Sequence, residues 1–297
     1  MATDASAIPA ASIPIPLASH HAELPGVRLH YVEAGTGPLV ILLHGFPEFW
    51  YAWRRQIAPL AQAGYRVIAP DMRGYNLSGK PQGISAYGAR TLVEDIAALL
   101  RACGEERAHI VGHDWGGGVA WAFAMTHPEK TRSLAVLNSP HPERLLGALM
   151  SPKQLLKSWY MFFFQIPWLP EAFTTRDGHA GWLKTLRDEP LVKDAFTPAD
   201  LAVYTESFAQ PGATTAMINY YRAMFRPSLA PKLTRIDTST LVLWGEQDPH
   251  LGRDLARPSP DRVPNARVEY LPDASHWVLH ERPEKVNALL LEHFSKA

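Results

Sequence analysis

A single cysteine, Cys103, stands in 297 residues, and that scarcity excludes a disulfide framework. Cys103 ends the apolar stripe Leu92, Ile96, Leu99, Leu100, Cys103 of an expected helix, so it reads as a buried core thiol rather than a nucleophile. Neither sign of charge is in excess: 29 Lys and Arg balance 29 Asp and Glu, which removes the electrostatic case for a nucleic-acid partner. The first twenty residues lack a cationic start and are broken by Pro9, Pro14 and Pro16, so neither a secretory signal nor a spanning helix is expected. A membrane partner is therefore not expected, a cytoplasmic location is the default, and residues 1–24 read as an extended arm. The 13 histidines show no ligand spacing, and neither a metal nor an organic cofactor is expected.

What is present is alternation. Val27 to Glu33, Leu39 to His44, Arg66 to Pro70, His109 to Gly112, Leu134 to Asn138, Thr240 to Gly245 and Arg267 to Leu271 read as short strands. Several are continuous apolar runs, the pattern of strands buried on both faces. Helical patterns lie between them, Thr91 to Cys103 among them, and Val286, Leu289, Leu290, His293 and Phe294 mark a last helix after Pro283. The expected fold class is α/β, a mostly parallel sheet flanked by helices. From about His141 to Pro227 no strand run occurs, and aromatics crowd segments such as Ser158-Trp159-Tyr160-Met161-Phe162-Phe163-Phe164. This stretch, 141–227, is expected to be an inserted helical lid over a core made of 25–140 and 228–297. It falls at the carboxyl edge of the sheet, where open α/β sheets bind ligands.

Gly112-His113-Asp114-Trp115-Gly116 joins a predicted strand to a small-residue helix and has the form of a nucleophile elbow. The flanking glycines suit a sharp turn, which presents Asp114 at the sheet edge with a helix N-terminus aimed at its carboxylate. No serine is there, which argues against an esterase of the serine type. An aspartate that attacks carbon forms an ester, and turnover then needs a base to activate water. Among the histidines, His276 in Asp273-Ala274-Ser275-His276-Trp277 follows the last predicted strand and is the expected base. His280 reads as a surface or helix-cap residue, and His250 lies too close to the acid to be oriented by it. That acid is Asp248 in Trp244-Gly245-Glu246-Gln247-Asp248, with Glu246 as second choice. The order nucleophile, acid, histidine is that of the α/β-hydrolase layout. In His44-Gly45-Phe46-Pro47, a tight turn would aim the amide of Phe46 at the nucleophile, where with the amide of Trp115 it forms an oxyanion hole. Trp50, Phe46, Phe163 and Trp182 suggest an apolar substrate pocket.

With these segments in view, the chain resembles the α/β-hydrolase-fold epoxide hydrolases of bacterial type, which are similar to the C-terminal domain of mammalian soluble epoxide hydrolase. The matching stretches run from His44 to Ile57, Asp71 to Pro81, Val111 to Trp121, Trp244 to His250 and Ser275 to Glu284. The resemblance spans roughly Pro25 to the C-terminus. It implies two lid tyrosines that hold an epoxide oxygen, for which Tyr160 and Tyr221 stand in the matching settings, with Tyr220 an open alternative beside Tyr221. The implied reaction opens a small apolar epoxide to a vicinal diol with water. A haloalkane dehalogenase shares the Asp, the His and Trp115, but its turn commonly carries Asn where this chain has Phe46. A fluoroacetate dehalogenase carries Arg after the Asp to hold a carboxylate, where this chain has Trp115 and Gly118. A catalytically silent ligand-binding protein of the same fold is opposed by the complete set Asp114, Asp248, His276.

Overall fold

The computed structural model describes residues 13–230 and 232–297. Eight strands form one sheet: β1 (Ala18–Leu24), β2 (Val27–Ala34), β3 (Leu39–Leu43), β4 (Arg66–Pro70), β5 (Ala108–His113), β6 (Thr131–Leu137), β7 (Thr240–Gly245) and β8 (Ala266–Leu271). Their order is β1-β2-β4-β3-β5-β6-β7-β8, and every pairing from β4 to β8 is parallel. β2 alone runs against the rest, paired antiparallel to both β1 and β4.

The apolar runs occupy the middle of the sheet. Every residue of β3, β5 and β7 is buried, which explains why their sequences do not alternate. The register stacks Ile41 beside Ile68 and Ile110 on one face and Val40 beside Val67 on the other, so branched side chains fill both faces. Helices Arg54–Gln62, Ala89–Ala102 and Asp114–Thr126 lie between the strands in the chain, and Pro283–Phe294, after β8, buries Val286, Leu289, Leu290, His293 and Phe294 as expected.

Two sequence expectations change here. Residues 18–24, expected as part of an extended arm, belong to the sheet as its edge strand β1; Leu24 pairs Val27 across a tight turn with Gly26 at φ 75°. An edge strand with only Ala22 buried carries too little apolar pattern to be seen. The remainder of the expected arm, residues 1–12, lies outside the described residues. Cys103 is not fully buried either: it follows the last turn of helix Ala89–Ala102 and is half-buried, where partial burial raises its thiol.

Between β6 and β7 the chain forms helices Pro142–Ala148, Pro152–Lys157, Trp159–Phe163, Leu169–Thr175, Ala180–Asp188, Pro198–Phe208 and Ala213–Met224. No strand interrupts this stretch among the described residues. Buried polar bonds tie it to the sheet side. Tyr204 Oη donates to Glu48 (2.8 Å), Tyr51 Oη donates to Asp200 (2.8 Å), and Arg54 pairs with Asp200 (3.0 Å).

Candidate active site

β5 ends at His113, and Asp114 opens the next helix with φ 48°, a left-handed conformation unusual for a residue with a side chain. The turn is possible because its neighbours are glycines. A Cβ on Gly112 would overlap the Gly116 carbonyl, and one on Gly116 would overlap the Leu43 carbonyl. Gly45 is equally confined, since its Cβ would lie 2.6 Å from that of Asp114. This close approach lets the Phe46 amide donate to Asp114 Oδ1 at 2.8 Å. Trp115 follows as the next residue of the helix, whose N-terminal dipole favours a carboxylate at that end.

The second carboxylate oxygen of Asp114 faces His276. His276 Nε2 lies 3.6 Å from Asp114 Oδ2, and His276 Nδ1 donates to Asp248 Oδ2 at 2.7 Å. Burial disfavours the charged ring, but Asp248, its hydrogen bond and the charge of Asp114 outweigh that and raise His276 to about 9. Asp248 is held at about 2: burial opposes the charge, and His276, His250 and Asn138 together overcome it. All its acceptor positions are engaged. Oδ1 takes the amides of His250 (2.7 Å) and Leu251 (2.8 Å), and Oδ2 also takes Asn138 Nδ2 (2.8 Å).

Asn138 is a residue that sequence reasoning left as the end of a strand. It sits at φ 38° just after β6, and its Oδ1 accepts from Gly245 N at 2.8 Å, so one amide side chain locks β7 and orients the acid. The visible signal was a lone asparagine closing an apolar strand. Glu246, the second choice for the acid, is turned away and pairs with Arg253. His280 is not a surface residue: it is fully buried, its Nε2 donates to Glu48 Oε1 (2.7 Å) and its Nδ1 accepts from Arg54 (3.0 Å). Burial pushes it down to about 4, so it remains neutral despite Glu48.

Tyr160 comes from helix Trp159–Phe163 and Tyr221 from helix Ala213–Met224, with ring centroids 5.7 Å apart. Tyr221 packs edge-on against Phe46 (5.1 Å) and Trp115 (5.0 Å). Removal from water, reinforced by the charge of Asp114, keeps both phenols well above the ordinary tyrosine value and hence protonated. Tyr220 is distinguished by the turn of the helix: its hydroxyl donates to the Arg73 carbonyl at 2.7 Å.

Two cavities share Asp114, Tyr160 and Tyr221 in their walls. One, of about 170 Å³, extends past Trp115 toward Val119, Leu145 and Met224. The other, of about 310 Å³, extends past His276 and is walled by Phe46, Phe163, Trp182 and Trp277. Phe163 and Trp182 thus line the space where an apolar pocket was expected. Trp50 lines neither cavity and is corrected to a core residue: it is buried against Phe49 and Tyr51, and its amide donates to Asp71 (3.1 Å). Among the described residues no cluster of three or more His, Cys, Asp or Glu could hold a metal ion, and no helix is long and apolar enough to cross a membrane.

Residues 38–283 match the family described as alpha/beta hydrolase fold. The AB hydrolase superfamily protein YfhM of Bacillus subtilis is 46% identical over 277 residues, covering 90% of this chain and 94% of the relative. Human epoxide hydrolase 4 is 38% identical over 283 residues, covering 89% of this chain and 75% of the relative. The crystal structure of Bacillus megaterium epoxide hydrolase in complex with an inhibitor superposes with a TM-score of 0.86 at 34% identity, over 93% of this chain and 100% of that one. The chain belongs to the α/β-hydrolase fold family, in the branch that holds the epoxide hydrolases.

Proposed function

We propose that this protein hydrolyses apolar epoxides to vicinal diols through a covalent ester on Asp114. The observation that carries the reading is the division of labour at one carboxylate: Oδ1 accepts the Phe46 amide, while Oδ2 faces His276 and a cavity roofed by two phenols. Oδ2 attacks an epoxide carbon, the carbon–oxygen bond of the ring breaks, and the leaving oxygen takes the proton of Tyr160 or Tyr221. Water then gives a proton to His276 and attacks the ester carbonyl. Oδ1 becomes the oxyanion, stabilised by the amides of Phe46 and Trp115. Collapse expels the second alkoxide, which takes the proton from His276, and the proton of the regenerated acid restores the phenol. Epoxide and water balance the reaction.

The charge arrangement supports this order. While Asp114 is ionised, His276 is held near 9 and is a poor base; forming the ester removes that charge and lowers the ring toward the range where it can accept a proton. The aromatic cavities suit apolar substituents on either side of the ring. In this reading 141–227 acts as the lid over the core of 25–140 and 228–297, and a neutral chain with one cysteine suits the reducing cytoplasm.

A single turnover in oxygen-18 water with excess enzyme should place the label in the Asp114 carboxylate and leave the first diol unlabelled. His276→Gln should accumulate protein with the mass of one added epoxide, and Asp114→Asn should not. Label entering the diol directly would sink the ester mechanism. Faster release of halide from a haloalkane than of diol from an epoxide of equal size would put a dehalogenase in its place.

A further inference from the structure

The cavity on the His276 side contains a carboxylate that the proposed reaction leaves unused. Glu189 follows helix Ala180–Asp188 and lines this cavity, its side chain 27% exposed. Its Oε2 accepts His250 Nε2 at 2.8 Å and the Trp277 indole N–H at 3.4 Å. Its Oε1 accepts from no protein donor among the described residues. His250 in turn stands edge-on to Tyr160 and to His276, with ring centroids 5.8 and 5.4 Å away, so the pair borders the reacting groups.

An ionised carboxylate can accept about four hydrogen bonds, two at each oxygen. Here one oxygen is pinned by the protein and the other has no protein donor among the described residues, in a residue that lines a chamber whose wall also holds Phe163, Phe173, Trp182, Trp277, Thr174 and Thr185. A donor reaching Oε1 makes a charge-assisted bond in partly dry surroundings, where such bonds are strongest. The aromatic faces around it favour a cationic donor further. The chamber, about 310 Å³, has room for an arm on the substrate.

We propose that Glu189, held by His250, is a specificity residue: this arm of the cavity takes an epoxide whose substituent ends in a hydrogen-bond donor, a hydroxyl or an ammonium. The inference rests on the epoxide hydrolase reading and assigns its substrate class. Glu189 touches the far end of the substrate rather than the reacting atoms. Its contribution is therefore to binding, and appears in KM more than in kcat.

The test compares kcat/KM for styrene oxides carrying a para ethyl, hydroxymethyl or aminomethyl group, which are close in size. The wild type should favour both donor-bearing compounds over the ethyl compound by at least about tenfold, the size expected of a hydrogen bond to a charged group. Glu189→Leu should reverse that ratio in favour of ethyl. Glu189→Gln keeps an acceptor without the charge, so it should retain the preference for hydroxymethyl and lose that for aminomethyl. Ratios taken within each variant do not depend on how much of the protein is active. Diol from all three compounds at ratios unmoved by either substitution would overturn this inference alone. Absence of diol from all three would overturn the hydrolase reading and this inference with it.

Discussion

The two sides of the site are built differently. On the sheet side, Asp114, Asp248 and His276 stand at or just beyond the ends of strands, and each is held by short hydrogen bonds to backbone or buried side chains. On the inserted side, Tyr160 and Tyr221 are positioned mainly by ring packing. Several of the inserted helices have only five to seven residues, too short to be stable by themselves, so packing against neighbouring helices must hold them. This side leaves Met150 87%, Leu156 76% and Trp168 74% exposed, and among the described residues the sheet core leaves nothing comparable. In the proposed reaction the ester is made and broken on the sheet side, where little displacement is tolerated, and the inserted side supplies the proton and shapes the pocket.

Breaking the inserted side gives the largest expected effect. Replacing Tyr160 and Tyr221 together with Phe keeps most of the apolar volume but removes both proton donors, and rapid-quench alkylation should slow by at least about 10²-fold. Either single change should cost less. Alkylation at the wild-type rate in the double variant would mean that the phenols only pack.

The sheet side is broken more gently by pH. His276 is raised from 6.5 to about 9 in the fold, so the folded protein binds that proton more tightly than the unfolded chain. The resulting stability is fully present below pH 6.5 and is lost as pH rises through about 9. The melting temperature of the wild type, minus that of His276→Gln, should therefore shrink across this window. The loss is on the order of 3 kcal/mol. A constant difference from pH 5.5 to 9.5 would contradict the assigned charge.

The smallest effect sharpens the comparison within the sheet side. Asn138→Gly permits the same left-handed backbone and removes only the side chain that joins Asp248 to β7. It should cost about 1 kcal/mol in urea unfolding and lower kcat with little change in KM. An unchanged kcat would show that the two backbone amides alone orient Asp248.

Much of the chemistry was legible because it is local. Gly112 and Gly116 announce the turn that bares Asp114, the apolar runs of β3, β5 and β7 announce buried strands, Asp248 follows the run of β7, and His276 follows the last strand, β8. Neighbours in the chain determine these features, so the order of residues was enough. The tertiary structure decided what depends on partners far away in sequence. Trp50 became core and Phe163 became cavity wall, though both are aromatic. His280 was buried by Glu48 across 232 positions. Asn138 met Asp248 across 110, and Glu189 met His250 across 61. Residue type sets what a side chain is able to do, but burial and hydrogen bonding are properties of the assembled neighbourhood, and only strand register and helix packing bring that neighbourhood together.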